Sequence, residues 1–507
     1  MKRTTIKAGA ALSLALAITV GAATSTRADQ PIDTSALRTA VTAGGVTEHL
    51  QAFQAIANAN DGTRAAGTPG YEASVNYVRE KLLAAGYTVT TQPFSYDIGI
   101  VDSATIEQTA PGADTYVYGT DFVEMQYTPD GTADADVTAV DVNLEGDRAT
   151  TSGCEADDFA DFPEGNIALI QRGFCFFRDK AQNAFAAGAS AVIIFNQGNV
   201  DPSDDRFGLF GGTLDPDPQI GDMPVFSMPF ELGAELAETE GLHLLIDLQT
   251  HTETINTWNV IADSPGGRSD RTVLAGAHLD SVPAGPGIND NGSGSATLLE
   301  IAEAMAGTTT TNHVRFAFWG GEEDGLIGSA HYVSQLSARD AKNIALNLNF
   351  DMVGSPNYVR FVYDGDGSAF GVRGPSGSAL IEKVFTDYFA AQGLATEPTE
   401  FDGRSDYDAF INAGIPAGGL FTGAEGIKSA EQAAIYGGTA GVAFDPCYHA
   451  VCDTIINISQ QALDQMSDAA AHAIQTFAMT SSAVNGTAKG KAVANGSADF
   501  RGSFALR

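Results

Sequence analysis

The chain has 507 residues, with 27 basic against 63 acidic side chains and a formal net charge of −36. That length suits two domains better than one, and so negative a surface repels phosphate backbones and argues against a nucleic-acid partner. With four cysteines behind an export-like N-terminus, disulfides are favoured over thiolate ligands.

Lys2, Arg3 and Lys7 precede the apolar run Ala8 to Ala23, which is shorter than the ~20 residues a membrane span needs. Residues 1–28 therefore read as a signal peptide cleaved after Thr26-Arg27-Ala28. Its removal takes the cations Lys2, Arg3, Lys7 and Arg27 and no acid, leaving −36 − 4 = −40. No later segment is long and apolar enough to span a bilayer, so a soluble, secreted, extracellular protein without a membrane partner is expected; it is taken to be a monomer.

A helix is predicted after Thr68-Pro69-Gly70, with Thr68 as N-cap, Val75, Val78 and Leu82 on its buried face and Gly86 at its end. Tyr87 to Phe94 alternates like a strand, and the sheet it begins resumes only at Asn259-Val260-Ile261-Ala262. The interval 112–252 differs in character. It is rich in Asp, Gly and Thr and has its own strand-helix-strand pattern: Ile167 to Ile170, Arg178 to Gly188, Ala191 to Ile194. It reads as an inserted domain between a first part of the main domain, 29–111, and a second, 253–480. Residues 481–507 are small, polar and mildly basic and read as a flexible C-terminal tail. Of the three possible cysteine connectivities, adjacent pairing is the simplest: Cys154 with Cys175, and Cys447 with Cys452. The second loop is too short to add more than ~2 kcal/mol, and its use would be to brace Tyr448 and His449.

Four apolar runs after residue 259 end alike. Ala275 to His278 leads through Asp280 to Gly287-Ile288-Asn289-Asp290-Asn291-Gly292, and Val314 to Trp319 leads into Gly320-Gly321-Glu322-Glu323. Ile344 to Phe350 leads into Asp351, and Ile415 to Phe421 precedes Cys447-Tyr448-His449. Short apolar runs alternating with helical patterns read as buried parallel strands, whose C-terminal ends line the edge where open α/β sheets place ligands. Two imidazoles and several carboxylates on that edge fit a bridged two-metal site, for which His278, Asp290, Glu323, Asp351 and His449 are candidate ligands. Glu322 is then free to face the reacting water, provided the Gly320-Gly321 and Gly325 backbone turns so that both glutamates reach one cavity. Asp280 is the carboxylate to which a ligating His278 would hand its second ring N–H, and Asp324 reads as a turn residue.

These motifs, with Asp351-Met352, Gly403-Arg404-Ser405-Asp406 and Asp445-Pro446-Cys447-Tyr448-His449, closely resemble the secreted dizinc aminopeptidases, the group that includes bacterial leucyl aminopeptidases and aminopeptidase Y. The inserted segment, around Gly153-Cys154-Glu155 and Gly165 to Phe176, resembles the protease-associated domain. The resemblance implies the α/β zinc-exopeptidase fold: a central mixed, mostly parallel sheet flanked by helices, with a smaller α+β protease-associated domain inserted and no catalytic residue of its own. It implies two zinc ions bridged by Asp290, one completed by His278 and Asp351, the other by Glu323 and His449. Glu322 would be general base and then acid, and Tyr448 a donor to the oxyanion. The Asp290-Asn291 peptide would be cis. Met352 and Phe421 would line an apolar pocket, with Arg404 near the substrate's amine. Asp464 and Asp468 match part of a calcium site of some members, without its N-terminal partner.

The expected function is removal of large apolar residues from peptide or protein N-termini. A zinc carboxypeptidase of the same fold would need a cationic clamp, for which only Arg404 offers itself. A glutaminyl cyclase would use one metal, and a receptor-like ectodomain would have lost ligands. The sequence contains no G-x-S-x-G elbow and no H-E-x-x-H helix.

Overall fold

A computed structural model describes Met1 and residues 32–198, 206–214 and 218–485. The expected signal peptide and the tail beyond Asn485 lie outside the described residues. Among the described residues fourteen strands form: β1 (Thr88–Ala110), β2 (Asp114–Tyr116), β3 (Val123–Glu124), β4 (Gly131–Val140), β5 (Ile167–Gln171), β6 (Ala191–Phe195), β7 (Val225–Met228), β8 (His243–Asp263), β9 (Arg268–His278), β10 (Asn312–Trp319), β11 (Ile344–Phe350), β12 (Phe361–Tyr363), β13 (Glu397–Thr399) and β14 (Ala417–Phe421). They pair in the order β13-β12-β14-β11-β9-β10-β8-β4-β5-β6-β7-β3, with β1 along β8 and β2 on β1.

The centre, β14-β11-β9-β10, is parallel throughout. Its side chains alternate between two faces, as the strand period of two requires. Val314, Phe316 and Phe318 of β10 join the large core that also holds Phe53, Val78, Leu298 and Met466 from helices on one side. Ala317 and Trp319 face the opposite way, onto Tyr332 and Phe410. Burial of each such aromatic stabilises the fold by roughly 2–3 kcal/mol. The helix Pro69–Ala84 forms as its cap signals require: Thr68 accepts the N–H of Tyr71, and Val75, Val78 and Leu82 are buried.

The insert has its own parallel sheet, β4-β5-β6-β7, edged by antiparallel β3, and its own cores. A two-stranded ribbon forms its junction with the rest of the chain. β1 and β8 pair antiparallel from Thr88–Asp263 to Ala110–His243, so β8 crosses the expected boundary at 252. Its N-terminal half pairs with β4 of the insert and its C-terminal half with β10 of the catalytic sheet. One ribbon thus belongs to both sheets. At the other end, order continues past residue 480: Ser482–Asn485 is helical and Val484 joins the main core.

Both cysteine pairs are adjacent ones, Cys154–Cys175 and Cys447–Cys452. Beside the first lies Lys180, fully buried, its ammonium donating to the carbonyls of Ser152 and Gln171. Burial pushes this amine down to about 7 from its ordinary 10.5, against the pull of Asp158 and Glu155. Between those two values the unfolded chain binds a proton that the folded one does not, so stability falls as pH is lowered through that window. Thermal melts of the full chain between pH 7.5 and 9.5 are expected to show a steeper rise of Tm with pH than melts of Lys180→Met. Equal slopes would contradict the assignment.

Candidate metal centre

His278 is the last residue of β9, 1% exposed. Its Nδ1 lies 3.2 Å from the backbone carbonyl of Asp280 and 3.7 Å from that residue's carboxylate, so the carbonyl is the direct partner. Its Nε2 points along the C-terminal edge, 3.2 Å from Asp290 Oδ1, 3.4 Å from Asp351 Oδ1 and 3.8 Å from Glu322 Oε2. His449, on the loop closed by Cys447–Cys452 and open to solvent, faces the other side. Its Nε2 lies 3.2 Å from Asp290 Oδ2 and 3.0 Å from Glu323 Oε2. Each oxygen of Asp290 therefore faces a different imidazole.

The loop that carries Asp290 is held by residues far away in sequence. Arg64, fully buried, donates to the carbonyls of Pro286, Leu279 and Gly287. Asp453 accepts the backbone N–H of both Asn289 and Asp290. Gly287 has φ +59°, and a Cβ there would lie 2.4 Å from Ser281 Cβ, so only glycine fits. The Asp290–Asn291 peptide is cis.

Glu322 and Glu323 follow β10 in a turn opened by Gly321, at φ +70°. Their backbone N–H groups reach the two oxygens of Asp280 at 3.4 Å each. The side chain read as a partner for His278 thus also caps the turn of the two glutamates. Asp351 follows β11, and Ser405 donates to its Oδ2. Asp351 Oδ1 and Glu323 Oε1 are buried without a hydrogen-bond partner.

Burial would keep His278 neutral, and partial desolvation acts in the same direction on the more exposed His449, yet the surrounding carboxylates override both. Glu322 and Asp351 raise His278 well above its usual range, and Glu323 with Asp290 raises His449 to about 10. Burial pushes Glu322 well up and Glu323 up to about 7, while the two imidazoles hold Asp290 below the usual carboxylate range against its burial. Four carboxylates around two imidazoles form a donor set that calls for positive charge. The orphaned Asp351 and Glu323 oxygens lie where an ion would take them up. The residues present fit a divalent metal pair.

Around this centre one cavity is lined by Met352, Tyr363, Thr399, Arg404, Phe421 and Tyr448 together with the acidic and imidazole groups. Arg404 is committed elsewhere in it: Nη1 donates to Glu425 Oε1 at 2.6 Å and Nη2 to Tyr448 Oη at 3.2 Å. The Tyr448 ring stacks on His449 with centroids 3.8 Å apart. All ten expected site side chains thus meet in one place. Sequence reasoning gave no role to Arg64, Asp453, Ser405 or Glu425. Asp468 faces Arg38 at 3.5 Å, and among the described residues no third acidic group gathers with it and Asp464.

Peptidase family M28 matches residues 259–474, and the PA domain matches residues 136–236. The chain is 49% identical over 444 residues to an aminopeptidase of Pseudomonas aeruginosa, covering 87% of this chain and 82% of that protein. Among solved structures it resembles the aminopeptidase from Aneurinibacillus sp. strain AM-1, with TM-score 0.68, 26% identity, and 88% and 96% of the two chains covered. It also resembles a zinc aminopeptidase from Bacillus subtilis, with TM-score 0.61, 25% identity, and 87% and 96% covered. Extended identity over most of both chains, on a sheet whose C-terminal edge gathers this donor set, makes the protein a member of peptidase family M28 with an inserted PA domain, a hydrolase of peptide bonds.

Proposed function

We propose that the protein is a secreted, monomeric, zinc-dependent aminopeptidase that removes large apolar residues from the N-termini of peptides and proteins. The observation that carries this reading is the division of Asp290 between two imidazoles, one oxygen toward His278 and the other toward His449. His278 and Asp351 would hold one ion and Glu323 and His449 the other, with Asp290 shared. The names of the Pseudomonas and Bacillus relatives support the same activity, and the name of the Bacillus protein supports the same metal. When bound, two zincs would acidify a water and polarise the scissile carbonyl.

The chain's own residues do the rest. Glu322, buried beside the centre and not needed as a ligand, takes the proton from the attacking water and gives it to the leaving amine. Tyr448 donates its hydroxyl to the carbonyl oxygen as negative charge develops there. A guanidinium can only donate, so Arg404 occupies a lone pair of Tyr448 Oη and leaves its proton free for the substrate. Glu425 fixes Arg404 in that position. Met352 and Phe421 offer apolar surface to the first side chain.

A leucyl anilide and its N-acetyl counterpart separate this reading from its rivals. Hydrolysis of the free-amine substrate alone is expected. Cleavage of the blocked substrate at a similar rate, or release of C-terminal residues from a peptide with a blocked N-terminus, would contradict it.

A further inference from the structure

The turn that carries Glu322 and Glu323 is held from three directions. Asp280 takes the backbone N–H groups of both glutamates. Tyr96 of β1 donates its hydroxyl to Asp324 Oδ2, and its ring sits so close beneath the turn that a Cβ on Gly321 would lie 2.8 Å from that hydroxyl. The third contact comes from the insert. Gln126 Nε2 donates to the backbone carbonyl of Asp324 at 2.7 Å. A Cβ on Gly325 would lie 3.6 Å from Gln126 Oε1, so nothing separates the two segments there.

Gln126 is rigidly part of the insert. Its N–H donates to Gly212 O at 2.8 Å and its carbonyl accepts from Leu214 N at 3.0 Å. Met125, just before it, donates to Val225 O of β7 at 2.9 Å and is fully buried in the insert's core. The turn it reaches is rich in glycine: Gly320 and Gly321 precede the two glutamates and Gly325 follows them, with φ of +70° and +113° at the last two. A base must be held to within ~0.5 Å to work, and a displacement of ~1 Å costs up to ~10²-fold.

We infer that Gln126 is a positioning residue through which the inserted domain fixes the Glu322–Gly325 turn, so that the insert takes part in placing the general base. This rests on the reading of Glu322 given above. It gives the insert, expected to bring no catalytic residue of its own, a part in placing one.

The test uses the zinc-loaded full chain and a leucyl anilide. Gln126→Leu removes the donor, Gln126→Glu sets an acceptor against the carbonyl, and Gln126→Lys restores a donor. The Leu and Glu variants are expected to lose about tenfold in kcat, with KM within about twofold and zinc content and Tm unchanged. The Lys variant is expected to recover most of the loss. Unchanged kcat in Gln126→Leu would overturn the inference, as would equal losses of kcat, zinc and Tm in all three variants. Should Gln126→Leu fail to fold, the contrast between the Glu and Lys variants decides in the same way. Glu322→Gln run alongside separates the two claims. If it retains activity, the reading of the site fails; if it is inactive while Gln126→Leu and Gln126→Glu are fully active, only the role of Gln126 fails.

Discussion

Glu322→Gln is expected to lower kcat on a leucyl anilide by about 10⁴-fold or more while keeping two zincs and a near-native Tm. General acid–base catalysis contributes ~10²–10⁴-fold, and the loss should sit at or above the upper end because one carboxylate serves both proton transfers. Zinc should be retained because both donor sets are complete without it: Asp290, His278 and Asp351 on one side, and Asp290, Glu323 and His449 on the other. Glu323→Gln, chemically the same change one residue along, is expected to fail differently. It removes the anionic group 3.0 Å from His449 Nε2 and should weaken one zinc. Zinc content and kcat measured on both variants check the assignment. If Glu322→Gln loses zinc and Glu323→Gln does not, the two roles are reversed; normal turnover by Glu322→Gln removes the mechanism.

Asp290→Asn is expected to bring zinc below one per chain after dialysis and to cost at least ~10³-fold in kcat. Its carboxylate is the one group that faces both imidazoles, so its loss touches both donor sets at once. Metal assistance is worth several kcal/mol of transition-state stabilisation, and each 1.36 kcal/mol is a factor of ten. The amide also loses the anionic oxygens that hold His278 and His449, while Asp453 and Arg64 still fix the loop backbone. The defect should therefore lie in metal content and rate, with the fold intact by circular dichroism. Elemental analysis showing two zincs in Asp290→Asn would contradict its placement between the ions.

Much of this site was legible because parallel strands deliver their functional side chains at one edge. His278, Glu322, Glu323 and Asp351 each follow an apolar run by at most four residues, and the runs themselves are unmistakable. The role of Asp280 was half legible. Its spacing from His278 marked it as a partner, but that its carboxylate would cap the Glu322–Glu323 turn depends on how two strands lie side by side. Arg64 could not be found from sequence, because it acts on carbonyls more than two hundred residues away and its neighbours show no pattern. Glu425 was hidden for a similar reason: one acid among many on an acidic chain gains meaning only when Arg404 is seen to reach it. That β8 runs unbroken across residue 252 was not legible, because the β1–β8 ribbon is exposed along its middle, where polar residues such as Thr250, His251, Thr252 and Glu253 hide a continuous strand. Val484 extends the core beyond residue 480 by packing against distant segments, which local composition does not report.

Zinc titration of the chelator-stripped full chain is the most direct measurement of the central claim. Stripped protein should be inactive, and hydrolysis of leucyl anilide should rise to its plateau at two zincs per chain, while Glu322→Gln takes up the same two and stays inactive. Full activity with no transition metal bound, or a plateau complete at one zinc, would contradict it.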